Sequence, residues 1–238
     1  MHRLSLTYFL PNLFTAGSIF VGVVGIIKAS SGNFTVAAWL ILLALVFDGL
    51  DGRIARLTGT TSKFGAEFDS LADIVSFGMA PAMLLYFYIG HEFGRFGIVV
   101  SALYVIFGAI RLARFNITAS KNDPNIFIGL PIPAAAIFIS IWVLLFYKYH
   151  LDTYAFLLLF LSLGVAVLMV SNIRYPSFKK IHINKSMLFK TFIALTLAAS
   201  LLYLFSAEGF ALIILAYIGY GPFRAVRNLN SRKINRKR

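Results

Sequence analysis

DGLDGRIARLTGTTSKFGAEFDSLAD, Asp48 to Asp73, holds five of the chain's nine acidic residues: Asp48, Asp51, Glu67, Asp69 and Asp73. Asp48 and Asp51 are spaced i, i+3, and Asp69 and Asp73 are spaced i, i+4. These two intervals put side chains on one face of an α-helix. Between the pairs lies LTGTTSK, Leu57 to Lys63, a short polar stretch with a glycine, which reads as the turn of a helical hairpin. Folding back on that turn brings the four aspartates together.

On either side of this stretch the chain is apolar. Hydrophobic residues make up 59% of the 238 and charged ones 13%, against about 25% charged in a soluble domain. With a mean hydropathy of +0.83, the chain reads as an all-α, polytopic membrane protein. Runs long enough to span fall at 8–27, 34–52, 64–89, 96–114, 127–147, 154–171, 188–205 and 209–225, which gives eight expected helices. They form one transmembrane domain over 1–225, followed by a basic tail over 226–238. The N-terminus runs directly into the first span with no small-residue cleavage site, so it reads as a retained helix. No cysteine is present, which excludes disulfides and thiolate metal sites. No repeat with a period of 20–50 residues is visible.

The net charge of +13 could suggest a nucleic-acid partner. Its distribution points to topology instead, with no nucleic acid. If the N-terminus is cytoplasmic, 19 of the 22 Lys and Arg residues fall on the cytoplasmic side, and Lys28, Arg95 and Lys148 fall on the other. Both termini and the Asp48–Asp73 hairpin are therefore expected at the cytoplasmic face of the cytoplasmic (inner) membrane, and the basic tail is expected to meet anionic membrane lipids.

Four carboxylates at a membrane surface repel one another unless cations neutralise them. An all-oxygen donor set suits Mg²⁺ or Mn²⁺ (or Ca²⁺) rather than Zn²⁺. Two such ions would form a clamp for phosphoryl displacement. Gly52, Ala55 and Gly65 leave room for a ligand near the backbone, and Arg56 can hold a phosphate. The competing non-enzyme reading is a secondary transporter. Against it, the carboxylates gather at one surface instead of along a path, and no inverted repeat is visible.

The spacing D-x-x-D-G-x-x-A-R-x8-G-x3-D-x3-D, met by Asp48, Asp51, Gly52, Ala55, Arg56, Gly65, Asp69 and Asp73, resembles the signature of the CDP-alcohol phosphatidyltransferases. That resemblance implies transfer of a phosphatidyl group from a CDP-linked lipid to an alcohol, with CMP as leaving group. It implies that Asp48, Asp51 and Asp69 bind metal, and that Asp73 both touches metal and serves as general base. Gly52, Ala55, Arg56 and Gly65 are then expected to line the CDP site. PNLFT, Pro11 to Thr15, is similar to the family's first-helix entry and implicates Asn12 and Thr15 near the nucleotide. Homodimerisation is implied by the resemblance alone.

The core motif leaves the acceptor alcohol open. RLARFN (Arg111 to Asn116), GLPIPAA (Gly129 to Ala135) and FGAEFDSLADIVSFGMAPA (Phe64 to Ala82) resemble segments of the membrane-embedded, serine-accepting bacterial branch of the family. The expected reaction is therefore CDP-diacylglycerol plus L-serine. A serine carboxylate suits a guanidinium fork, which Arg111 and Arg114, three apart, could supply, and Asn116 could accept from the ammonium. Glycerol-3-phosphate, also anionic, is the alternative acceptor. Pro131 and Pro133 read as the entry of the fifth span. No histidine is given a catalytic role.

Overall fold

The computed structural model describes residues 6–118, 126–176 and 206–235. Helix α1 (Leu6–Ser30) and α2 (Phe34–Leu57) form an antiparallel hairpin. Helix α3 (Lys63–Asp73), a π-helical stretch (Ile74–Met79) and α4 (Ala80–Tyr88) follow one another without a break. Then come α5 (Arg95–Thr118), strand β1 (Ile126–Ile128), α6 (Ile132–Lys148), α7 (Ala155–Val170), strand β2 (Arg174–Pro176) and α8 (Ser206–Asn235).

Among the described residues, five helical segments are long and apolar enough to cross a membrane: Phe9–Ser30, Phe34–Leu57, Lys63–Tyr88, Arg95–Thr118 and Asp152–Val170. Helix α6 is shorter, at 17 residues. The expected span at 188–205 lies outside the described residues, and α8 occupies the place of the expected span at 209–225 and continues to Asn235. Large apolar side chains such as Phe20, Trp39, Ile98, Phe156, Phe160 and Leu212 are exposed around the bundle. So wide an apolar exterior suits lipid rather than water, and the chain is a multi-pass membrane protein. The core runs through α4, α5 and α6, where Leu84, Tyr104, Ile132, Phe138 and Ile139 are fully buried.

Two expectations need correction. The fifth span, expected at 127–147, has a helix that starts only at Ile132. Pro131 is extended (φ −61°, ψ 137°), and Gly129 turns the chain with φ +79°. Leu130, which precedes Pro131, is disfavoured in the α region, and with Pro131 extended the helix starts only after it. The chain is also not purely α. Residues 126–128 instead pair antiparallel with β2, in the register Ile126↔Pro176, Phe127↔Tyr175 and Ile128↔Arg174.

The two ends of the bundle differ in kind. At one end the Tyr88 hydroxyl donates to Asp152 (2.7 Å), and Lys148 pairs with Glu208 (2.6 Å). The other end carries Arg53, Arg56, Arg111, Arg114, the small sheet and the aspartates. Inside the bundle, Ser18 and Ser76 exchange hydrogen bonds of 3.1 and 2.9 Å, tying α1 to the π-helical stretch. The Tyr104 hydroxyl, from α5, donates to the Phe77 carbonyl (3.1 Å) in that same stretch, where the helical bonding pattern shifts.

Candidate active site

The hairpin between α2 and α3 is made by a glycine and a serine. Helix α2 ends at Leu57 with Thr58 as its C-cap, and Gly59 follows with φ +64°. Thr60 N donates back to Ala55 O (3.0 Å). This is the 6→1 bond of a Schellman cap, which calls for a left-handed residue at the position Gly59 fills. Ser62 is extended, and its side chain accepts from Gly65 N (3.0 Å), capping the start of α3. With the turn so fixed, the carboxylates of Asp48, Asp51 and Asp69 bring one oxygen each within 4.8 Å of one another. Asp51 is buried and accepts from the Thr15 hydroxyl at 2.7 Å, which ties α1 to the cluster. That hydroxyl also reaches Pro11 O (3.2 Å).

Asp73 lies one turn deeper than Asp69. It hydrogen-bonds to Asp48 and lies within electrostatic reach of Asp69 and Arg111. Its Oδ1 is buried without a hydrogen-bond partner among the described residues. Two carboxylates in contact must share either a proton or a cation. The donor set, all carboxylate oxygens on rigid helices, fits a hard divalent cation.

Beside the cluster opens a pocket of about 160 Å³. Its walls include Asn12, Thr15, Gly52, Ala55, Arg56 and Gly65, the residues singled out for the CDP-lipid, together with Asp51 and Asp69. A methyl on Gly65 would sit 3.2 Å from Ser62 Oγ and 3.6 Å from Asn12 Oδ1, so the wall there is tight. Thr60, Thr61, Ser62 and Ala66 also line the pocket and were not anticipated. Only Ser62 carried a readable signal, as a helix-capping residue ahead of the apolar-periodic run.

The three residues expected at the acceptor are placed differently from one another. Arg111 is buried, with its guanidinium carbon 5.2 Å from the centre of the Phe115 ring and 5.9 Å from that of Phe127. Arg114 donates to four backbone carbonyls, those of Ile128 (3.1 Å), Met169 (3.2 Å), Val170 (3.0 Å) and Ser171 (3.0 Å), and lies 3.4 Å from Asn172 Oδ1. Asn116 is exposed and donates to Ser70 Oγ (3.0 Å) and Glu67 Oε2 (3.5 Å), bridging α5 to α3. Glu67 is exposed as well, on the flank of α3.

The family model described as CDP-alcohol phosphatidyltransferase matches residues 8–168. A CDP-diacylglycerol–serine O-phosphatidyltransferase of Helicobacter pylori is 53% identical over 220 residues, covering 91% of each chain. One from Methanocaldococcus jannaschii is 38% identical over 189 residues, covering 79% of this chain and 83% of its own. One from Bacillus subtilis is 36% identical over 172 residues, covering 72% and 92%. A family match across two-thirds of the sequence, and relatives at these identities over most of it, establish that the chain belongs to the CDP-alcohol phosphatidyltransferase family.

Proposed function

We propose that this chain is a CDP-diacylglycerol–serine O-phosphatidyltransferase, releasing CMP and forming phosphatidylserine. The observation that carries the reading is the convergence of Asp48, Asp51 and Asp69 beside a pocket lined by Asn12, Thr15, Gly52, Ala55, Arg56 and Gly65. The serine acceptor is supported by the relatives, which are CDP-diacylglycerol–serine O-phosphatidyltransferases.

In this reading Asp48, Asp51, Asp69 and Asp73 would hold two Mg²⁺ or Mn²⁺ ions, which would supply positive charge against the diphosphate and the developing charge on its oxygens. Arg56, in the pocket wall, holds a phosphate of the CDP group, and Gly52 and Gly65 let the nucleotide approach the backbone. The N-terminus of α3 opens on the same pocket and favours an anion there. Thr15 fixes Asp51 in its rotamer.

The serine hydroxyl is not nucleophilic at neutral pH until its proton is removed. Asp73 takes that proton. Serine Oγ then forms a bond to the phosphatidyl phosphorus while the bond to the bridging diphosphate oxygen breaks, and its electron pair leaves with CMP. Arg111 pairs with the serine carboxylate. Asn116 is proposed to orient the ammonium from the outer rim. The arginine-rich end of the bundle supports a cytoplasmic active site. Homodimerisation rests on the family resemblance alone and belongs to the same proposal.

The test is CMP release from CDP-diacylglycerol in detergent with Mg²⁺ or Mn²⁺, in separate reactions with serine, glycerol-3-phosphate, inositol phosphate and no acceptor. Serine-dependent release is expected. Release driven by glycerol-3-phosphate and not by serine would overturn the acceptor assignment.

A further inference from the structure

The acceptor side of the site has a wall that the aspartate motif does not contain. Phe127, whose ring faces the Arg111 guanidinium, lies on β1 opposite Tyr175 of β2. Tyr175 is fully buried, and its ring centre lies 5.6 Å from that of Tyr217 on α8. Helix α8 is built to receive it. Pro222 has no N–H to give the Ile218 carbonyl four residues back, and the Tyr175 hydroxyl donates to that carbonyl instead (3.3 Å). A methyl on Gly221 would run into the Tyr175 ring. The Tyr217 hydroxyl in turn donates to Pro176 O (3.4 Å) and lies within electrostatic reach of Arg111. Arg114 closes the assembly from below, holding β1 through Ile128 O and the end of α7 through Met169, Val170 and Ser171. Gly129, at φ +79°, packs so closely on Met169 O and the Arg114 guanidinium that a Cβ would collide with both.

We infer that the β1–β2 sheet, clamped by Arg114 and backed by α8, is the device that positions Arg111 for the acceptor. Arg114 is a positioning residue and does not touch serine. Its fork donates to four carbonyls of β1 and the α7 terminus, and replacing any of them by a substrate carboxylate would release the sheet. The family match ends at residue 168, and β2 and α8 come after it. Arg111, Arg114 and β1 lie inside the matched region, so the proposed device joins it to the segments that follow.

This inference rests on the reading of Arg111 as the partner of the serine carboxylate, and the experiment separates the two. Initial rates are measured over a range of serine and, separately, of CDP-diacylglycerol, for Arg111→Lys, Arg114→Lys, Phe127→Leu, Phe127→Tyr and Tyr217→Phe, with a thermal midpoint for each. Phe127→Leu and Arg114→Lys should raise the serine KM about three- to tenfold, the scale of one lost cation–π or hydrogen-bonded contact. The KM for CDP-diacylglycerol should stay within about twofold, since the CDP pocket does not include these residues. Phe127→Tyr keeps the ring and should keep the parental serine KM. Tyr217→Phe keeps the ring stack and loses the hydroxyl, so its serine KM should rise less than that of Phe127→Leu. An unchanged serine KM in Phe127→Leu, or equal rises for both substrates, overturns the positioning role of the sheet even if Arg111→Lys behaves as a serine ligand should. An unchanged serine KM in Arg111→Lys overturns the underlying reading of Arg111 itself.

Discussion

Asp48 and Asp69 stand on different helices and meet only because the turn between α2 and α3 is tight. Each contributes one oxygen to a cluster spanning no more than 4.8 Å, so an amide at either position removes charge from the centre of the set. Asp48→Asn and Asp69→Asn should each lose at least about 10²–10³-fold in turnover, the scale of one electrostatic element of a transition state. Mn²⁺ affinity should fall with it, as read by titration of activity against free metal, and near-normal turnover in either variant would remove that aspartate from the metal set. Asp73 has a different job in the proposed mechanism. Asp73→Asn should bind CDP-diacylglycerol with only modest weakening, while single-turnover CMP release falls by about 10²–10⁴-fold, the range of a lost general base. If binding and rate collapse together, Asp73 acts chiefly as a ligand.

At the scale of elements, the α2–α3 turn decides whether the site assembles. Nothing lies within 4 Å of a Cβ built on Gly59, so space is not what demands glycine there. The demand comes from φ +64°, which costs an L-residue roughly 1–2 kcal/mol. Gly59→Ala should therefore lower the thermal midpoint and weaken Mn²⁺ activation together, whereas Gly59→Asn, more tolerant of this conformation, should lose less. Equal behaviour of the two would mean that the cap does not hold the site. At the opposite end of the bundle, α6 and α8 are linked by Lys148 and Glu208, with Tyr149 donating to the same carboxylate (2.6 Å). The hydrogen bond from Lys148, and then that from Tyr149, holds the Glu208 carboxyl down at about 2, from an ordinary value of 4.5. Because the folded-state pKa is depressed, the stabilisation is complete above the unfolded value and is lost as pH falls through the folded one. The midpoint difference between the parent and Glu208→Gln should be constant from neutrality down to about pH 5 and vanish toward pH 2. It should be small throughout, since surface pairs contribute little.

For the whole molecule, the Lys and Arg asymmetry predicts that the site faces the cytoplasm. The chain has no cysteine, so single-cysteine variants can be labelled without background. Ser31 lies in the turn between α1 and α2, and Lys63 lies at the start of α3, at opposite ends of the bundle; both are exposed. A membrane-impermeant maleimide added to intact spheroplasts should label Ser31→Cys and spare Lys63→Cys, with labelling of Lys63→Cys appearing only after permeabilisation. The reverse pattern would place the aspartates outside, where the arginine asymmetry argues they are not.

The amino-acid sequence by itself determined the class, the family and the hairpin. Apolar runs of spanning length admit only a helical bundle or a closed barrel in lipid, and the spacings Asp48–Asp51 and Asp69–Asp73 follow helical periodicity, a local property that needs no tertiary information. The motif was legible because its eight fixed positions lie on two adjacent helices joined by one short turn. The acceptor side was not legible in the same way. Arg111 and Arg114 are three residues apart on one helix and read as an equivalent pair, yet one lies against aromatic rings and the other is bonded to the carbonyls of β1 and α7. What separates them is a strand pairing between residues 126–128 and 174–176 and a tyrosine seated on a proline-freed carbonyl in α8. Periodicity reports which residues share a face of one element. Which carbonyls that face meets depends on segments 14 to 57 positions away, and only the folded chain brings them into contact.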